Sequence, residues 1–142
     1  MPPGRDPTQE KTLQEVVDEV DQYPIEAFVF LQHGLAFAVN RVHGEFKEDE
    51  GETPDTTASR HITGQQLCEG LREYALSQWG LLARVVLARW RINSTFDFGR
   101  IVFALIAAGH MQKTDSDTIE DFRNVYDFKT AFDGTYQIGT PR

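Results

Sequence analysis

The stretch from His61 to Gly109 limits what this chain can fold into more than any other part of it. Thr63-Gly-Gln-Gln66 and Ser94-Thr-Phe-Asp97 each place a hydroxyl three residues ahead of a side chain that can reach back to it. That pattern satisfies the free amides of a helix's first turn. Gly80 and Gly109 stand where those helices would stop in the left-handed conformation. Between the signals, apolar residues recur at three- and four-residue spacing: Leu67, Leu71, Tyr74 and Ala75, then Leu82, Val85 and Val86, then Ile101, Val102, Leu105 and Ile106. A chain punctuated in this way forms short helices that reverse on one another, not strands.

The flanking segments extend the pattern. Thr12-Leu-Gln-Glu15 is another capping box, followed by Leu13, Val16, Val17 and Val20 on one helical face and Asp18, Glu19 and Asp21 on the other. Pro24 suits the first position of a helix, where its missing N–H needs no partner. The run that follows is apolar on nearly every side, so residues 24–43 are expected to be the central buried helix, with His33 a core histidine. Asp117-Thr-Ile-Glu120 opens a short helix carrying Ile119, Phe122 and Tyr126, and Asp127 to Phe132 forms one more turn. The fold expected is mainly α: a single compact helical domain of about six helices over residues 12–133, with a small winged-helix-like hairpin near 111–123. Residues 1–11 read as a flexible tail, 44–59 as an acidic, disordered loop and 134–142 as a C-terminal tail.

Composition narrows the function classes. With 142 residues, 40% of them apolar, the chain can bury a core without covalent staples. Its one cysteine, Cys68, excludes an internal disulfide and fits a reducing compartment. No apolar run approaches the roughly 20 residues that span a bilayer, and the first residues lack a signal-peptide core. The expectation is a cytoplasmic protein that does not enter membranes. The net charge of −8 lies wholly within the first 60 residues. An acidic surface of that kind repels phosphate backbones.

No motif assigns chemistry. His33, His43, His61 and His110 do not form a His-x-x-x-His pair, and no metal role is assigned. Cys68 follows an inward-facing leucine and reads as a buried structural thiol. Asp115-Ser-Asp117 starts like a calcium loop but has Glu120 and Tyr126 where glycine and glutamate are needed. Asn93-Ser-Thr95 matches a glycosylation acceptor, yet its plain role is helix capping. Phosphate-binding glycine loops and nucleophile elbows are absent. Catalytic, cofactor and metal residues are therefore all read as none.

What remains is a helix–Gly80–helix segment bearing Arg84, Arg89 and Arg91. In a winged-helix reading, Thr95–Ala108 would be the recognition helix, with Arg100 its one cation and Asp97 opposing it. The plainer reading is a helical packing motif whose arginines pair with the acidic first half. His61, Arg84, Arg89, Arg91 and Arg100 are the candidate interaction residues. Trp79 and Trp90 read as core anchors, with partial exposure of either marking an interface.

Several pieces of the chain carry a resemblance: Arg60-His-Ile-Thr-Gly64, Leu67-Cys-Glu-Gly-Leu-Arg72, Trp79-Gly-Leu-Leu-Ala-Arg84, Thr95-Phe-Asp-Phe-Gly99, Ile101-Val-Phe103 and Tyr126-Asp-Phe128, with Tyr23-Pro-Ile-Glu-Ala-Phe28 upstream. Over residues 12–133 the chain resembles an uncharacterised conserved family largely restricted to Planctomycetes and Verrucomicrobia. The resemblance implies a bacterial protein and no activity, cofactor or site residue. The leading expectation is thus a non-enzymatic protein-interaction or regulatory domain that contacts another protein, with itself as a further partner. A winged-helix or helix-turn-helix nucleic-acid binder is the alternative, and an enzyme using His61 with Cys68 or Glu69 the weaker one.

Overall fold

Thr12 starts the first helix as its spacing requires: its hydroxyl accepts from the Glu15 amide at 3.1 Å and the Glu15 carboxylate takes the Thr12 amide at 2.8 Å. A computed structural model describes residues 11–43, 61–113 and 117–133. It shows α1 (Leu13–Val20), α2 (Ile25–His43), α3 (Gly64–Trp79), a 3-10 turn (Gly80–Leu82), α4 (Ala83–Arg89), α5 (Thr95–Ala107), a second 3-10 turn (Ile119–Phe122) and α6 (Phe128–Ala131), in that order. No strand occurs among the described residues. The tail 1–10, the acidic segment 44–60, the residues 114–116 and the tail 134–142 lie outside them.

α2 and α3 form the centre. They approach closely because each presents a glycine to the other: Gly34 faces Leu71 and Tyr74, and Gly70 faces Ala38. A β-carbon at Gly70 would stand 2.8 Å from the Ala38 Cα, closer than packed atoms allow. Beside this seam, Arg41 of α2 pairs with Glu73 of α3 at 2.7 Å. The helix is not buried all round, however. His33, Ala36 and Asn40 form a stripe in water, so His33 is not a core residue. The face is decided by which side of α2 meets α3, and Gly34, Phe30, Leu31 and Ala38 lie on that side. α2 also starts one residue later than the proline rule suggests, with the Pro24 carbonyl accepting from the Ala27 amide at 3.0 Å.

From this pair an aromatic spine crosses the body. Phe30 contacts Tyr74, Trp79, Trp90 and Phe98 at ring separations of 5.6, 5.6, 5.9 and 6.4 Å. Phe98 meets Phe128 at 5.7 Å, and Phe128 meets Phe132 at 5.1 Å. Such pairs add about 0.5–1.5 kcal/mol each beyond their buried area. Both tryptophans are half-buried at the end of the spine.

The described part of segment 111–123 forms no hairpin. It carries the 3-10 turn, and the Phe122 ring is pinned in the core between two glycines. A β-carbon at Gly64 would lie 2.9 Å from the ring, and one at Gly99 would lie 2.8 Å from its Cγ. The buried Thr95 hydroxyl donates to the Phe122 carbonyl at 2.6 Å and accepts from the Val125 amide at 3.1 Å. A segment whose aromatic side chain is socketed between helices cannot also project as a wing.

Caps agree with the spacing at Thr63 and differ at two other places. Thr63 and Gln66 exchange both bonds of the box. At Ser94 the box does not close, because the Asp97 carboxylate takes the Asn93 amide at 2.8 Å and the Tyr23 hydroxyl at 2.6 Å. The last box starts at Thr118, not Asp117, and uses Asp121. Gly80 ends α3 at φ +57° and ψ −138°, a glycine conformation outside the left-handed helical region anticipated for it. Gly70→Ala is expected to lower stability by about 1–3 kcal/mol through overpacking against Ala38, measured as a lower midpoint in urea unfolding at unchanged slope.

Candidate functional site

The five candidate residues do not form one site. His61 lies at the start of α3, where its Nε2 meets the Asp117 carboxylate at 3.2 Å and its carbonyl accepts from His43 Nε2 at 2.9 Å. Arg84 turns to the opposite side of α4, donating to the Phe128 carbonyl at 3.2 Å. Together with the buried Arg72, which donates to the Ala131 carbonyl at 2.7 Å, it holds α6 in place. Arg84 is therefore a structural clamp. Arg89, Arg91 and Arg100 instead gather round the turn between α1 and α2, with Arg100 donating to Gln22 at 3.1 Å.

That turn forms one wall of a cleft of about 400 Å³. Asp18, Asp21, Gln22 and Tyr23 line it on one side, Arg89 and Arg91 on the other. Two helices end there. At the end of α4, the Ile92 amide bonds back to Leu87 and the Arg91 amide to Ala88, which is a Schellman turn with Arg91 in its left-handed position at φ +67°. At the end of α5 the same motif runs from His110 to Leu105 and from Gly109 to Ile106, and there the left-handed residue is glycine at φ +89°. α1 closes on Asp21, also left-handed at φ +52°. So two side-chain-bearing residues sit in a glycine conformation and face one cleft.

Tyr23 lies at the buried base of the cleft. Burial, and then the hydrogen bond to the Asp97 carboxylate, hold its phenol well above the usual tyrosine range, so it stays neutral. Asp18 accepts from Gln14 at 2.9 Å. Arg89 and Arg91 make no hydrogen bond or ion pair among the described residues, although two carboxylates line the same cleft.

The enzyme reading had placed His61 with Cys68 or Glu69. Cys68 is fully buried. Burial, with the Glu69 carboxylate beside it, pushes its thiol well above the ordinary value, which is the reverse of an activated nucleophile. Its carbonyl takes the Tyr126 hydroxyl at 2.7 Å. His61 is engaged with Asp117 and His43. Of the remaining histidines, His110 donates to the Lys11 carbonyl at 2.6 Å, tying the start of α1 to the end of α5. Among the described residues no group of three or more His, Cys, Asp or Glu side chains could hold a metal ion, and no helix is long and apolar enough to cross a membrane.

Sequence spacing missed one further surface. α4 buries Ala83 and Leu87, which leaves Leu81 67%, Leu82 66% and Val85 55% exposed. Helical periodicity alone could not separate the two faces, since residues 81–87 are apolar at every position but Arg84. The signal was the doubled leucine directly after Gly80. No family model, curated protein or solved structure matches this chain.

Two outcomes are expected. Cys68 should resist a disulfide reagent at neutral pH until denaturant unfolds the chain, as followed by thiol release; rapid labelling of the native protein would contradict the packing described. Arg91→Gly should raise stability by about 0.5–1 kcal/mol, seen as a higher unfolding midpoint, because glycine adopts the left-handed turn without strain.

Proposed function

We propose that this chain is a non-enzymatic protein-interaction domain that docks a partner protein on the face formed by Leu81, Leu82 and Val85. The observation that carries the reading is the two-thirds exposure of two adjacent leucines, where the other large apolar side chains among the described residues are almost all buried or half-buried. Single exposed apolar residues need no explanation, but a contiguous group of this kind does. Three side chains supply far less than the roughly 800 Å² per partner of a stable standard interface, which argues against two copies joined through this face alone. A short amphipathic segment of another protein fits better. Arg89, one turn beyond Val85 and without a partner among the described residues, would favour a segment with a carboxylate at its edge.

The nucleic-acid reading draws less support from the geometry. Arg84 is committed to the backbone of α6, and α5 buries Thr95, Phe98, Gly99, Ile101, Val102 and Leu105, leaving Arg100 as its one exposed cation. Affinity for nucleic acid would rest on too few phosphate contacts.

The test compares immobilised wild-type protein with Leu82→Asp in extracts of the source cells, with light scattering on both. Leu82→Asp should melt within about 0.5 kcal/mol of wild type, as surface changes do. The expected result is a protein retained by wild type and lost by the variant. Equal retention by both, or retention of nothing by a monomeric wild type, would overturn the reading.

A further inference from the structure

Beside the leucine face, the cleft between the α1–α2 turn and the end of α4 has a charge arrangement that folding does not account for. Arg89 and Arg91 stand on one wall, Asp18 and Asp21 on the other, and no ion pair joins the walls. All four side chains are exposed, and the backbone that carries each wall is fixed. Arg91 is held in the Schellman turn by the Ile92 and Arg91 amide bonds, and Asp21 is held by its amide bond to the Val17 carbonyl at 2.9 Å. The base is fixed too, with the Tyr23 hydroxyl bound to Asp97.

The two walls also differ in the field they present. The C-terminal end of α1 carries partial negative charge from its last carbonyls, which reinforces Asp18 and Asp21 as a cation-binding wall. On the other wall two guanidinium groups provide forked donors suited to a carboxylate. The cleft, about 400 Å³ and open to solvent, has room for a small polar ligand. The strain at Arg91 points the same way. The equivalent turn after α5 uses glycine, so an arginine here keeps a guanidinium at the cleft at the expense of an easier turn.

We infer that this cleft binds a small zwitterion, an amino carboxylate whose ammonium meets Asp18 and Asp21 while its carboxylate meets Arg89 and Arg91. A ligand carrying only one of the charges would satisfy one wall and leave the other facing it. The site adjoins the leucine face at Arg89, and its assignment does not depend on docking there.

Intrinsic fluorescence provides the readout, because Trp90 lies between Arg89 and Arg91 and packs edge-on against Trp79 at 5.5 Å. The full chain is titrated with glycine, γ-aminobutyrate and ε-aminocaproate, which separate the two charges by increasing lengths. n-Hexylamine and caproate serve as single-charge controls. A saturable change is expected with at least one amino carboxylate, weakened roughly tenfold or more in Asp18→Asn and in Arg89→Gln, and not reproduced by either control. Arg91→Gly should fold at least as stably as wild type yet bind more weakly, which separates loss of binding from loss of structure. No saturation with any of the three, or an equal response to caproate or hexylamine, would overturn the assignment.

Discussion

Two helices can lie at backbone contact only where their side chains vanish, and the seam between α2 and α3 meets that condition at Gly34, Ala38 and Gly70. The rest of the molecule depends on this approach. Because α3 sits so near, its Tyr74 and Trp79 reach Phe30 from one side while Trp90 and Phe98 reach it from another. The aromatic spine then has a fixed starting point. Widening the seam by even one methyl group would move every ring along it, since interiors pack at crystal-like density and transmit strain.

The same device recurs at Phe122, where Gly64 and Gly99 leave room for a ring between α3 and α5. Glycine in this chain thus has two physical roles. Gly80 and Gly109 adopt backbone conformations that other residues resist, and Gly34, Gly64, Gly70 and Gly99 make space inside helices or at their starts. Asp21, Arg91 and Asn124 sharpen the distinction by occupying left-handed positions with side chains attached, and of the three Arg91 carries the longest.

Helix boundaries were legible in the sequence because capping is local. Thr12 with Glu15 and Thr63 with Gln66 need only residues three apart, and both boxes form. Ser94 with Asp97 failed because Asp97 is claimed by Tyr23, 74 residues away, a competition no local pattern records. His33 was misplaced for a related reason. An apolar helix does not announce which of its sides meets its neighbour, and here two glycines settle that choice. The expected wing gave way to Phe122, whose socket requires Gly64 and Gly99 to come together from separate helices. Of the candidate residues, Arg89, Arg91 and Arg100 do share a neighbourhood. Arg84 and His61 do not, because the direction of a side chain on a short helix depends on what the helix packs against. The acidic wall of Asp18 and Asp21 was read only as the wet side of α1.

The hydrogen bond from His43 to the His61 carbonyl has a topological consequence. It fixes the point where the chain leaves α2 beside the point where it rejoins the path to α3, so the intervening residues begin and end at one spot on the surface. Joining two points this close costs closure entropy that grows slowly with the length of the connection, by about 0.6 kcal/mol per doubling. The seam between α2 and α3 is thus buffered against the length of what joins them. The exit from α2 and the return to α3 lie at the far end of α3 from the exposed leucines.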